Sequence, residues 1–300
     1  MADVGVLVMS YGTPSGPDGI EAYYTDIRRG HPPTAEQLAD LRRRYDAIGG
    51  VSPLAERTAA QVAGLQVALD ATDPGRFAVF SGAKHSTPSI EDGMNAIATA
   101  GLVDVVALVL APHYSALSVG QYFERVDAAA TDNMAVTYVH DWHLEPVLVD
   151  LLAERVGEAL ARFSGDAVVE TLVTAHSLPA RVVDMDDPYP GQVAATAEAV
   201  AEAAGLTRWQ VAWQSAARTP EPWLGPDVLD VIPALASTAD GVLVCPAGFV
   251  SDHLEILYDL DVQAREVAES AGLRFERTAS LNDDKRFLAM LADVVRVAAA

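Results

Sequence analysis

Two places in the chain carry side chains able to move protons or hold a cation. His176 closes an apolar, β-branched run and opens His176-Ser177-Leu178-Pro179. A neutral imidazole, with an ordinary pKa of about 6.5, can take a proton or give a lone pair to a metal ion near neutral pH. The second place, residues 251–259, reads as a helix with Asp252 near its start. Glu255 and Asp259 are four apart and share a helical face, so the two carboxylates repel unless water, a proton or a cation compensates. Gln263 extends the row as a neutral group that can still act as a ligand. On these residues alone, a solvated helix face fits the row as well as a binding face does. A lone strand-end histidine is more often structural or merely exposed. His253, two residues from Glu255, points elsewhere on this reading and is assigned a structural part.

Positioning these groups is the task of an alternating pattern. Apolar runs that predict strands fall at 4–10, 77–82, 103–111, 135–139, 168–175, 209–213, 241–245 and 273–277. Amphipathic stretches at 34–48, 54–69, 145–163, 194–204 and 226–236 predict helices between them. Such alternation implies parallel sheets covered by helices on both faces. The segment Val6-Leu7-Val8-Met9-Ser10-Tyr11-Gly12-Thr13-Pro14 aligns with Thr171-Leu172-Val173-Thr174-Ala175-His176-Ser177-Leu178-Pro179, and Ala111-Pro112 aligns with Cys245-Pro246. The expected α/β architecture is therefore two similar Rossmann-like halves, residues 1–145 and 146–300, each a four-stranded parallel sheet flanked by helices. A last helix at 284–297 is expected to pack back onto the first half. Ligands of such sheets bind beyond the carboxyl ends of the strands, which gathers Tyr11, Lys84, His85, His113, His176 and residues 246–255 around one cleft.

Composition narrows the partners. A formal charge of −22 works against nucleic acid and anionic lipid, and no G-x-G-x-x-G or Walker-type loop is present for a dinucleotide or nucleoside triphosphate. Apolar runs are too short to cross a bilayer, and no leader pattern opens the chain, so a cytoplasmic location without membrane insertion is expected. Against this acidic background, five of the 20 basic residues lie between Arg28 and Arg44. Trp213 and Trp223 read as packing residues.

Many short motifs stand in order along nearly the whole length. They are Tyr11-Gly12-Thr13-Pro14, Tyr23-Tyr24-Thr25-Asp26-Ile27-Arg28-Arg29-Gly30, Arg44-Tyr45-Asp46-Ala47-Ile48-Gly49-Gly50-Val51-Ser52-Pro53-Leu54, Lys84-His85 and Ala111-Pro112-His113-Tyr114-Ser115. Ala175-His176-Ser177-Leu178-Pro179, Asp187-Pro188-Tyr189-Pro190, Trp213-Gln214-Ser215, Pro222-Trp223-Leu224-Gly225-Pro226 and Gly248-Phe249-Val250-Ser251-Asp252-His253-Leu254-Glu255 complete the set. In this order and spacing the chain resembles the ferrochelatases, above all the bacterial coproporphyrin ferrochelatases.

The resemblance implies a class II chelatase-like fold and insertion of Fe²⁺ into a porphyrin, with coproporphyrin III giving coproheme in haem biosynthesis. It implies His176 and Glu255 facing each other as catalytic and metal-contacting residues, with Tyr11 reaching the metal from the other porphyrin face. Asp259, and after it Gln263, would lead metal inward; many relatives carry a carboxylate at the Gln263 position. Tyr11, Arg28, Arg29, Arg44, Ser52, Lys84 and Tyr122 would surround the porphyrin and its carboxylates. Tyr11 stands where protoporphyrin-using relatives often carry methionine, and Ser15, Asp18, Glu21 and Asp26 make the 12–32 region polar where membrane-associated relatives have an apolar lip. Fe²⁺ is then a substrate, no tightly bound cofactor is expected, and Cys245 alone cannot hold the [2Fe–2S] cluster found in some relatives. Expected partners are the porphyrin, Fe²⁺ and, transiently, neighbouring enzymes of the haem pathway. The rival readings are a protoporphyrin IX ferrochelatase, a cobalt or nickel tetrapyrrole chelatase, and a porphyrin or haem carrier without turnover.

Overall fold

The computed structural model describes residues 2–217 and 219–300. The first sheet is built from β1 (Val4–Ser10), β2 (Phe77–Ala83), β3 (Asp104–Val109) and β4 (Ala135–Val139), in the order β2-β1-β3-β4 and parallel throughout. Its helices are α1 (Ile20–Ile27), α2 (Ala35–Ala47), α3 (Leu54–Thr72), α4 (Ile90–Thr99) and α5 (Val119–Ala129). The second sheet repeats the order as β6-β5-β7-β8, from β5 (Val169–His176), β6 (Trp209–Gln214), β7 (Gly241–Cys245) and β8 (Arg274–Arg277). Around it run α6 (Pro146–Leu160), α7 (Arg181–Asp184), α8 (Tyr189–Ala204), α9 (Val228–Ala234), α10 (Leu254–Leu257) and α11 (Arg265–Ser270), and the chain closes with α12 (Lys285–Ala298).

The strands form where the sequence predicts them because strands covered on both faces need continuous apolar runs. Every residue of β1 and of β7 is buried. Helix boundaries follow local chemistry as well. Thr34 and Ser89 make reciprocal capping boxes with Gln37 and Asp92 at the starts of α2 and α4. Gly205, at φ 65°, ends α8 in the left-handed conformation that glycine adopts without strain.

The main apolar core is continuous between the sheets. It joins Val6, Val8 and Leu108 of the first sheet with Val173 and Leu243 of the second through Leu148 and Leu152 of α6. Phe287, Leu288 and Leu291 of α12 belong to the same core, and α12 lies against α3, α6 and β4. Residues at the carboxyl ends of strands in both sheets, among them Ser10, Val109 and His176, line one cleft.

One element departs from expectation. Residues 251–270 do not make one straight α-helix. His253 is extended (φ −158°, ψ −176°), α10 is a single turn, and Asp259–Ala264 is π-helical before α11 begins. The Gln263 amide accordingly bonds five residues back, to the Tyr258 carbonyl, at 2.9 Å.

Candidate active site

A cavity of about 580 Å³ opens at the strand ends, within the usual range for small-molecule sites. Tyr11, Lys84, His85, His113, His176 and Glu255 all line it, drawn from loops of both sheets.

His176 and Glu255 are each fixed by their own element. His176 is the last residue of β5, and its carbonyl accepts a 2.8 Å hydrogen bond from the Tyr189 hydroxyl at the start of α8. Nδ1 of His176 lies against the Ser177 carbonyl, so Nδ1 carries the hydrogen and Nε2 faces the cavity. Glu255 arrives on α10 after the chain leaves β7 and crosses the end of β5 at Gly248. A Cβ at Gly248 would stand 2.8 Å from the Ala175 Cα, so the crossing requires glycine. The buried Gln214 amide links the two sides, accepting from the Thr174 hydroxyl at 2.8 Å and donating to the Glu255 carbonyl at 3.0 Å.

Nε2 of His176 and Oε2 of Glu255 are 3.6 Å apart, with each side chain about one-third exposed (34% and 32%). Withdrawal from water disfavours charge on His176, yet the Glu255 carboxylate outweighs it and lifts the imidazole to about 9. Glu255 is itself disfavoured as an anion by burial, and His176 and His253 together hold it well below the usual carboxylate range. The resting pair at neutral pH is thus imidazolium and carboxylate. This differs from the neutral imidazole that an ordinary histidine pKa predicts, because the partner charge lies so close.

His253 corrects a second expectation. Its Nε2 lies 3.7 Å from Oε2 of Glu255, and it lines the cavity. Positions two apart diverge on a helix but share a side when the first is extended, which is the conformation of His253. Trp223, expected only to pack, also lines the cavity, with its ring 6.5 Å from that of His176.

Asp259 lies behind the pair and is buried. Its Oδ2 accepts from the Ser215 hydroxyl at 2.5 Å, and its Oδ1 is 3.7 Å from Arg44 Nη1. Among the described residues Oδ1 accepts no hydrogen bond. Burial and the charge of Glu255 raise Asp259 to about 6 against the opposing pull of Ser215 and Arg44. Ser215 holds it from a left-handed backbone, φ 62°, which costs a non-glycine residue energy. Gln263 does not extend this row into the cavity. It lines a shallow recess with Pro233, Glu266 and Ala271, because π-helical winding breaks the four-residue stacking of an α-helix.

Across the cleft, Tyr11 packs edge-on against His85 at 4.7 Å. Desolvation and the charge of Glu255 push its phenol up, so it stays protonated. Lys84 donates to Gln121 at 2.6 Å and lies 5.0 Å above the Tyr122 ring. Burial, reinforced by Arg125 and Arg29, lowers Lys84 to about 8. Arg29 and Tyr122 line the cavity with it.

Three further residues expected around a porphyrin do not line the cavity. Arg28 donates to the His31 carbonyl at 3.2 Å and lies over Tyr24. Arg44 is paired with Asp40 at 3.1 Å as well as with Asp259. The Ser52 hydroxyl accepts the Leu54 amide at 3.3 Å at the start of α3. Conversely, Arg125 and Arg181 line the cavity without having been singled out. Arg125 could have been found three positions beyond Tyr122 on one helical face. No pattern in the sequence marks Arg181.

Paired four-stranded parallel sheets with a cleft at their carboxyl ends recur in other solved structures. Structures sharing this arrangement include SirB from Bacillus subtilis with Fe³⁺, at TM-score 0.62 and 10% identity, covering 100% of this chain and 96% of that one. CbiX, described as the terminal enzyme for biosynthesis of siroheme in denitrifying bacteria, matches at TM-score 0.55 and 13% identity, covering 98% of each chain. At these identities the likeness is one of fold.

The sequence is more specific. The ferrochelatase family model matches residues 3–299. A ferrochelatase from Herpetosiphon aurantiacus is 43% identical, covering 98% of each chain. Coproporphyrin III ferrochelatases from Listeria monocytogenes (42% identical, 97% of each chain) and Geobacillus thermodenitrificans (43% identical, 97% of this chain and 95% of the relative) are comparably similar. The chain belongs to the ferrochelatase family. Membership makes it an enzyme with Fe²⁺ and a porphyrin as substrates. Its one cysteine, the buried Cys245, excludes a cluster held on several cysteines of this chain. Among the described residues no helix is long and apolar enough to cross a membrane.

Proposed function

We propose that this enzyme inserts Fe²⁺ into coproporphyrin III to give coproheme, with His176 and Glu255 at the insertion point. The observation carrying the reading is that His176 Nε2 and Glu255 Oε2 face each other 3.6 Å apart in a cavity of about 580 Å³. The names of full-length relatives support the choice of porphyrin.

A free-base porphyrin must lose two pyrrole protons while the metal ion sheds water. Glu255, held as an anion, attracts the arriving cation. The cation replaces the proton as the carboxylate's partner, which removes the charge that kept His176 protonated. The imidazolium proton passes to water, and the neutral imidazole, with Nε2 toward the cavity, then accepts one pyrrole proton while the other passes to water. Nitrogen and carboxylate donors suit Fe²⁺ and also admit Co²⁺ or Zn²⁺. On this reading Tyr11 approaches from the opposite porphyrin face as a neutral phenol, and Asp259, poised near pH 6, stands behind Glu255 on the metal's approach. Arg29, Lys84 and Tyr122 contact the porphyrin directly, while Arg28, Arg44 and Ser52 act at its margin after reorienting. The division at residues 145 and 146 separates the two walls of the cleft. A cytoplasmic location and transient contact with neighbouring haem-pathway enzymes belong to the same reading, which a water-soluble tetracarboxylate substrate favours.

The test is anaerobic metallation followed by absorbance, with Fe²⁺, Co²⁺ or Ni²⁺ offered to free-base coproporphyrin III and to protoporphyrin IX. Catalysed Fe²⁺ insertion is expected. Tight porphyrin binding without turnover would instead show a carrier, and turnover with Co²⁺ or Ni²⁺ alone would show a different chelatase.

A further inference from the structure

The basic residues lining the cavity are Arg29, Lys84, Arg125 and Arg181, and they differ in how firmly the protein already holds them. Arg125 is committed. Its guanidinium donates twice to Glu91, at 2.8 and 2.5 Å, and once to the Lys84 carbonyl, and this holds Glu91 down to about 2. Arg29 and Lys84 stand on the first-sheet side. Arg181 alone among the four comes from the second-sheet side, where it opens α7 five residues after His176. Among the described residues its acidic partner is Glu221, in an ion pair with side chains 54% and 38% exposed. A pair so open to water contributes little, so a ligand carboxylate can displace it. A guanidinium binds a carboxylate through two parallel hydrogen bonds.

The geometry points to Arg181 as a specificity-determining contact for one of the two carboxylates by which coproporphyrin III exceeds protoporphyrin IX. Glu221 is the anion it exchanges for substrate. Arg29 and Lys84 serve carboxylates on the opposite wall, and Arg181 supplies the cation that a dicarboxylate does not need. The inference rests on the coproporphyrin reading above and deepens it.

Arg181→Ala should raise KM for coproporphyrin III about three- to tenfold with kcat within twofold, since removing uniform binding changes KM alone. It should leave protoporphyrin IX kinetics unchanged. Arg181→Lys should recover part of the loss. Glu221→Gln, which frees the guanidinium, should lower KM for coproporphyrin III about two- to threefold. Both side chains are exposed, so the variants should fold, and equilibrium quenching of porphyrin fluorescence should follow KM. Unchanged coproporphyrin III affinity in Arg181→Ala, or equal losses for both porphyrins, would overturn the assignment while wild-type coproporphyrin turnover persisted. Failure of the wild type to metallate coproporphyrin III would remove the reading beneath it.

Discussion

Glu255 favours the protonated form of His176 and His176 favours the anionic form of Glu255, so each biases the charge of the other. Replacing Glu255 with Gln removes the main force raising His176, and its titration, followed by NMR of the ring protons, should fall from about 9 toward the ordinary value of about 6.5. In the wild type the raised value has a direction in stability. The imidazole's share of the stabilisation is complete below the unfolded imidazole's pKa and is lost as pH rises through about 9, whereas the share of Glu255 is lost as pH falls below the usual carboxylate range. An imidazole titration unaffected by Glu255→Gln would separate the two residues. For catalysis, His176→Ala should lower metallation about 10²–10⁴-fold, the usual worth of a positioned acid or base, with porphyrin affinity retained. Turnover within a few-fold of wild type would remove His176 from the mechanism. Along the metal's approach, Glu255→Gln should cost more activity than Asp259→Asn, and Gln263→Ala should cost little, because Gln263 lies outside the cavity. Equal damage at Gln263 and Glu255 would contradict that ordering.

The crossing at Gly248 brings β5 and α10 together, and it offers a test of positioning without touching either reactive side chain. A methyl group there meets the Ala175 backbone at 2.8 Å and cannot be accommodated by rotating a side chain. Gly248→Ala should cost about 1–3 kcal/mol by overpacking and lower metallation at least tenfold, since misplacement by about 1 Å can cost 10²-fold. Urea unfolding and kinetics measured together would check it, and full activity with lowered stability would mean that the crossing serves the fold alone. The sequence made the strands legible because buried parallel strands are written as unbroken β-branched runs. It also gave the site's location, because His176 and residues 246–255 fall at strand ends, where open parallel sheets bind ligands. The approach to Glu255 was not legible in the same way. An extended His253 followed by one α-turn and a π-turn has the same apolar spacing as a straight helix, so the shift in side-chain direction left no trace. Nor could local pattern reveal the partners of Arg44 or Ser52, which depend on Asp259 and on the start of α3.

At the scale of the molecule, each sheet has an apolar cluster of its own, around Ile90 and Met94 or around Ile232 and Phe275, and the two share a third between them. Phe287 of α12 packs 5.7 Å from Trp142 and sits in the core that joins residues of both sheets. Unfolding by urea should therefore show one transition, with Phe287→Ala lowering stability by about 3–5 kcal/mol and shifting that transition as a whole. Two resolved transitions, only one of them moved, would mean that the halves hold themselves independently. A continuous core also keeps the two walls of the cleft in register, so a macrocycle held between them meets His176 and Glu255 from a fixed direction. The most direct test of the account is the ratio of specificity constants for Fe²⁺ insertion into coproporphyrin III and protoporphyrin IX, under identical detergent and salt. The account predicts a ratio of about 10–100 in favour of coproporphyrin III, equivalent to about 1.4–2.8 kcal/mol; a ratio of one or below would contradict it.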